Sequence, residues 1–171
     1  MKAIVDKTGE IQKLIDKKGK LLIRGFETRR QDWCELAKKV QMKVLEHILN
    51  DKKDLAVKYV RQTAKKIKSR KVKISELTIN VRLSKPLDKY RAVGPHVSVA
   101  RKMKERGIEI KEGMNIPFVI TFGTGSISQR AVPDKDATLK NYDPDYYIDN
   151  QIIPSALRVL SVFNVNEDDL K

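Results

Sequence analysis

Leu77-Thr78-Ile79-Asn80-Val81-Arg82-Leu83-Ser84 alternates apolar and polar residues strictly. Tyr90-Arg91-Ala92-Val93-Gly94-Pro95-His96-Val97-Ser98-Val99-Ala100-Arg101-Lys102, a few residues later, does not. A period of two marks a half-buried strand, and a glycine-proline entry followed by helical spacing marks a helix start. Working outward, the helix closes at Gly107 and a second strand runs from Asn115 to Phe122. A polar glycine turn follows, Gly123-Thr124-Gly125-Ser126-Ile127-Ser128-Gln129-Arg130. The last element starts at Asp143-Pro144, a cap residue and a first-turn proline, and continues through Tyr147, Ile148, Ile152, Ala156, Leu157 and Leu160. Pro154 is expected to kink or split it.

Upstream, Trp33, Leu36, Ala37, Val40, Val44, Leu45 and Ile48 share one helical face, with Asp32 expected at the start and Asn50 near the end. A second helix turns Leu55, Ala56, Tyr59, Val60, Thr63, Ala64 and Ile67 inward. Residues 2 to 27 read as hairpins, with turns at Lys7-Thr8-Gly9-Glu10 and Lys17-Lys18-Gly19-Lys20. So short a sheet has little to bury alone and is expected to pack on something else. The expected class is α+β, a mostly helical body with short strands after a small β-hairpin region. The expected division is 1–30 and 31–171.

Lys and Arg total 36 against 22 Asp and Glu, a net charge of +14. The excess is uneven: from Asp134 onward eight acids face four bases, so residues 1–133 carry 32 bases against 14 acids, or +18. A polyanionic partner follows, nucleic acid before an anionic membrane, and the binding surface belongs to the front three quarters. Between Leu55 and Ser75 stand eight bases and no acid, either a solvated helix face or part of that surface. The one cysteine, Cys34, lies among helical apolar positions and cannot staple the chain, which points to a reduced, cytoplasmic setting. No run is long enough to cross a bilayer, and His47 and His96 have no companions at metal-ligand spacing.

Pro95 suits the first helical position because it has no amide hydrogen to leave unsatisfied, and Gly94 admits close approach by another backbone. The amides that follow can point at an anion, with Arg91, Arg101 and Lys102 supplying charge. The plain alternative is an ordinary cap with His96 as a cap residue. The glycine turn likewise either only turns or touches phosphate.

Four motifs in this order resemble the end of the palm and the thumb of archaeal family B DNA polymerases, over about Leu14 to Leu170. Arg24-Gly25-Phe26-Glu27-Thr28-Arg29-Arg30-Gln31-Asp32-Trp33-Cys34-Glu35-Leu36-Ala37-Lys38 is similar to the palm-to-thumb junction. The Tyr90 to Lys102 stretch resembles the thumb segment in which Gly-Pro-His opens a helix. Phe122 to Ala131 resembles the glycine-rich turn after it, and Tyr142 to Pro154 the closing helix. Departures are present too. Gln31 stands between the arginine pair and Asp32-Trp33, so only Arg30 falls on a family arginine. The lysine-rich strand before the hairpin is represented only by Glu10-Ile11-Gln12-Lys13. The tail Glu167-Asp168-Asp169-Leu170-Lys171 is not a clamp-binding peptide.

The resemblance implies a DNA-binding thumb that grips primer-template duplex while a partner palm performs nucleotidyl transfer. It divides the chain into a palm-end segment (1–30) and a thumb (31–171), and makes it either a small subunit of a split polymerase or a cloned fragment. The implied DNA-binding residues are Arg30, Lys85, Arg91, Gly94, His96, Ser98, Arg101, Thr124, Ser126, Ser128 and Arg130. Trp33, Leu36, Tyr59, Ile79, Phe118, Phe122, Tyr147 and Leu157 are assigned to the core or the palm interface, since aromatics make up 6% of the chain, few for a stacking platform. The family's catalytic carboxylates lie on palm strands upstream of the matching region. No cofactor is therefore expected on this chain, with Mg2+ expected in a large partner subunit that carries exonuclease, palm and fingers. The setting implied is nucleoid-associated, without a membrane. A stand-alone basic RNA-binding or ribosome-associated protein is the alternative, since charge and element order serve it equally well.

Overall fold

The computed structural model describes residues 32–171 and the backbone of two short strands ahead of them. Those strands, β1 (Ile4–Val5) and β2 (Ile11–Gln12), pair antiparallel with Ile4 opposite Gln12; the expected turn at Lys7-Thr8-Gly9-Glu10 lies outside the described residues. The second expected hairpin, around Gly19, and Arg30 at the junction lie outside the described residues.

The first helix, α1 (Glu35–Leu49), buries Leu36, Ala37, Val40, Val44, Leu45 and Ile48. It starts later than Asp32, which sits in the preceding turn, and Cys34 takes the cap position without a side-chain cap bond. The Cys34 amide donates instead to Gln151 Oε1 at 2.9 Å. After a turn in which Asp51 has φ 57°, α2 (Lys53–Lys68) buries Ala56, Val60, Thr63, Ala64 and Ile67. Leu55 is 45% exposed rather than inward, because it lies on the flank of that i, i+4, i+7 row.

The single turn α3 (Ile74–Leu77) takes up the front of the expected strand: the Thr78 amide donates to Ile74 O, leaving β3 as Ile79–Arg82. The alternation survives, with Ile79 and Leu83 buried and Asn80 and Arg82 exposed. Next come a 3-10 turn at Leu87–Lys89, α4 (Pro95–Glu105) and β4 (Asn115–Ile120). Beyond α4, Gly107 adopts φ 82°, a left-handed stop that favours glycine. The one-turn α5 (Ile127–Arg130) leads into β5 (Ala131–Pro133). The sheet is antiparallel in the order β3-β4-β5, with Val81 opposite Ile116 and Val119 opposite Val132.

The closing element splits, as Pro154 predicts: α6 (Pro144–Tyr147), a π turn (Ile148–Ile152) and α7 (Ile153–Leu160). Asp143 caps it, its Oδ1 accepting from the Asp145 and Tyr146 amides at 3.0 Å. Helices α1, α2 and α7 pack together, α4 lies on β4 and β5, and one apolar core joins the two layers. Buried tyrosines lock the closing element to both. Tyr147 OH accepts from the Ile120 amide at 3.1 Å, and Tyr142 OH donates to Ile67 O at 2.6 Å. Strand β4 ends at Ile120 rather than at Phe122, and Phe122, 60% exposed, is outside the core, one of the two places expected for it.

Candidate nucleic-acid interface

Gly94 is the N-cap of α4 and Pro95 its first residue, so no side chain caps the His96 and Val97 amides. The Ser98 amide is already bound to Gly94 O at 3.0 Å, which corrects the expectation that it donates to an anion; its hydroxyl is the group left. Gly94 has an ordinary φ of −74°, so its requirement is space. A Cβ there would meet His96 Cε1 at 3.3 Å and Nδ1 at 3.4 Å, because the imidazole folds back over the cap. Burial holds the His96 imidazole below its ordinary 6.5 and so favours the neutral ring at physiological pH.

Tyr90, which the sequence reading left without a role, is the centre of this face. Its hydroxyl accepts from the Ser84 amide at 2.8 Å and lies 3.2 Å from Ser84 Oγ. Its ring carries the Lys85 ammonium 4.8 Å from the centroid and meets the His96 ring edge-on at 5.8 Å. Its carbonyl accepts from Arg101 Nη2 at 3.4 Å. The Ser84 hydrogen bond, with the Lys85 charge after it, lowers the phenol from its ordinary 10.0. One residue thus gathers all three, its ring holding Lys85 and His96 and its backbone carbonyl holding Arg101. Arg91, next in sequence, is exposed. The spacing of Tyr90 from Ser84 carries no helical or strand period, and the loop that folds it back is invisible in a pattern search.

The glycine turn is built rather than loose. Ser126 caps α5 through a capping box: its amide donates to Gln129 Oε1 at 2.7 Å, and the Gln129 amide donates to Ser126 Oγ at 3.4 Å. The Ser-x-x-Gln spacing was the available signal. Gly125, at φ 100°, is required twice, since a Cβ there would sit 2.7 Å from Gln129 Oε1. Thr124 is exposed and Ser128 half-buried. Two cations expected at the surface are structural instead. Lys102 Nζ donates to Gln129 O and Ala131 O at 3.2 and 2.7 Å, tying α4 to α5. Arg130 is ion-paired with Asp143 and donates to Thr121 O at 3.2 Å, with both charged side chains mostly buried. The fold therefore brings Lys85, Gly94, His96 and Arg101 together, sets Thr124, Ser126 and Ser128 on the neighbouring turn, and withdraws Arg130.

Among the described residues no group of three or more His, Cys, Asp or Glu side chains could hold a metal ion. Two of the acids in the 134–145 stretch are engaged elsewhere: Asp143 caps and pairs, and Asp136 binds Arg106 at 2.7 Å. No described helix is long and apolar enough to cross a membrane.

The profile of DNA polymerase family B matches residues 8–163. The DNA polymerase of Thermococcus litoralis is 40% identical over 161 residues, which cover 92% of this chain and 10% of that protein. The Pyrococcus horikoshii DNA polymerase is also 40% identical, over 92% of this chain and 13% of its own length. The solved family B DNA polymerase of the hyperthermophilic archaeon Pyrobaculum calidifontis superposes with a TM-score of 0.76 at 40% identity, over 89% of this chain and 20% of that one. The chain thus spans only a small part of the relatives it matches, and the RNA-binding or ribosome-associated alternative gains no support from them. With the fold, the motif order and the family profile in agreement over most of its length, the chain belongs to DNA polymerase family B.

Proposed function

We propose that the chain is the thumb portion, or small subunit, of a family B DNA polymerase. In this reading residues 1–30 complete a palm and residues 31–171 form the thumb. The thumb holds primer-template duplex behind an active site on another polypeptide, which carries exonuclease, palm and fingers and binds the Mg2+.

A polymerase copies any template, so such a grip has to neutralise phosphates without reading bases. The observation that carries the reading is the α4 start, where half-buried His96 follows the Gly94-Pro95 entry without a side-chain cap and where Tyr90 holds both Lys85 and Arg101. Backbone amides and cations bind phosphate oxygen through charge-assisted hydrogen bonds that carry no sequence information. Neutral His96 adds a hydrogen-bond donor rather than a charge, and the hydroxyls of Ser98, Thr124, Ser126 and Ser128 add polar contacts able to follow a groove edge.

The test is reconstitution. Mixing the chain with a family B fragment bearing exonuclease, palm and fingers should lengthen primer-extension products, and Arg101→Ala should shorten them again. Product lengths indifferent to the added chain would remove the thumb reading.

A further inference from the structure

The two long helices treat their charges differently. On α1, Lys38 pairs with Glu35 at 2.8 Å, Lys43 with Glu46 at 2.9 Å, and Lys39 with Glu76 at 2.8 Å. On α2, Lys58, Arg61, Lys65, Lys66 and Lys68 are all exposed, and none forms an ion pair among the described residues. The one acid of α2 is Asp54, in its first turn. Lys58, Arg61, Lys65 and Lys68 follow one another at three- and four-residue steps, so they form a stripe of like charge, an arrangement that works against the helix unless an anion neutralises it.

We propose that the outer face of α2 is a second binding site, for the phosphate backbone of double-stranded nucleic acid. From Lys58 to Lys68 the stripe runs about 15 Å along the helix axis, which fits a linear polyanion better than a single phosphate. The groove beside the stripe mixes signs: Asp145 and Asp149 lie there with Arg61, Lys65, Lys68 and Lys171, and Lys171 pairs with Asp149 at 3.3 Å. The outer ridge presents cations without carboxylates between them and is the better seat for a run of phosphates. The aromatic nearest this face, Tyr59, is half-buried and turned towards the His47 ring at 6.2 Å. The ridge therefore offers no stacking platform of the kind that single-strand binders use. Contact there is electrostatic and blind to sequence. The site is separate from the α4 start, because α2 packs on α1, α6 and the π turn, whereas α4 packs on β4, β5 and α5. Its existence does not rest on the thumb reading.

The experiment compares the 171-residue chain with a Lys58→Gln/Arg61→Gln/Lys65→Gln/Lys68→Gln variant, titrating each with a mixed-sequence DNA duplex across salt concentrations. Each lost phosphate contact lowers the slope of log K against log salt by about 0.9, so the slope should shrink by about 2 to 3.5. An Arg91→Gln/Arg101→Gln variant should change the slope independently, which separates this site from the α4 face. An unchanged slope with helical circular dichroism intact would overturn the proposal. So would polyglutamate binding as tightly as duplex, since the face would then be built for acidic protein. A second measurement needs no variant. Duplex should protect Lys58, Lys65 and Lys68 from an amine-reactive label in the unaltered chain while Lys43 keeps its reactivity, and equal labelling with and without duplex would contradict the site.

Discussion

His96 shows how one residue links burial to a measurable titration. Desolvation lowers its folded pKa below the ordinary 6.5. As pH falls through and below 6.5, the unfolded chain takes up a proton that the folded chain refuses, so stability declines with acidification; above that window both forms are neutral and the contribution vanishes. Proton NMR of the imidazole should give a midpoint below 6.5, and one at or above it would refute the burial argument. Tyr90 makes a sharper division. Tyr90→Phe keeps the ring under Lys85 and against His96 but loses the Ser84 bond, whereas Tyr90→Leu loses the ring as well. The Leu variant should lower the salt slope of duplex binding by about 1, and the Phe variant should leave it nearly unchanged. Equal effects would show that the hydroxyl alone does the organising. Gly94, His96 and Arg101 were legible in the sequence because a helix start has a local signature. Tyr90 was not, since its partners are set by a loop. Arg130 and Lys102 were misread for the same reason: charge is visible in sequence, but the carboxylate and carbonyls that use it are not.

Among the elements, the break in the closing helix was legible from Pro154, but the π turn ahead of it was not. Its use becomes plain at Gln151, which is buried there and whose Nε2 donates to Asp32 O at 3.1 Å while its Oε1 accepts from the Cys34 amide. That clasp joins the last helices to the entrance of the first, a contact between distant parts of the sequence that no periodicity encodes. Gln151→Leu should cost about 1–3 kcal/mol in denaturant unfolding, because the Cys34 amide is left buried and unpaired; a loss too small to measure would contradict the clasp. Gln41, buried on α1 with no protein partner for its amide, predicts the opposite sign. Gln41→Met should be neutral or stabilising by up to about 1 kcal/mol, since it exchanges an unsatisfied amide for a thioether of similar length. Marked destabilisation would mean that the amide is satisfied after all.

At the scale of the whole molecule, the sequence supplied the class, the order of elements and the sign of the partner's charge. The uneven distribution, +18 over residues 1–133, is the ground on which the sequence alone assigns the proposed binding surface to the front three quarters. What it could not supply was the sorting of that charge. The fold neutralises the α1 lysines with glutamates, consumes Lys102 and Arg130 internally, and leaves Lys85, Arg101 and the α2 ridge exposed. Family membership follows from similarity over most of the chain, whereas duplex binding follows from this sorting and stands or falls with it. The most direct measurement is the affinity of the chain for two DNA duplexes of unrelated sequence, followed from low to physiological salt. The account predicts that both affinities fall steeply together, with one shared slope. A flat salt response, or strong preference for one duplex over the other, would contradict it.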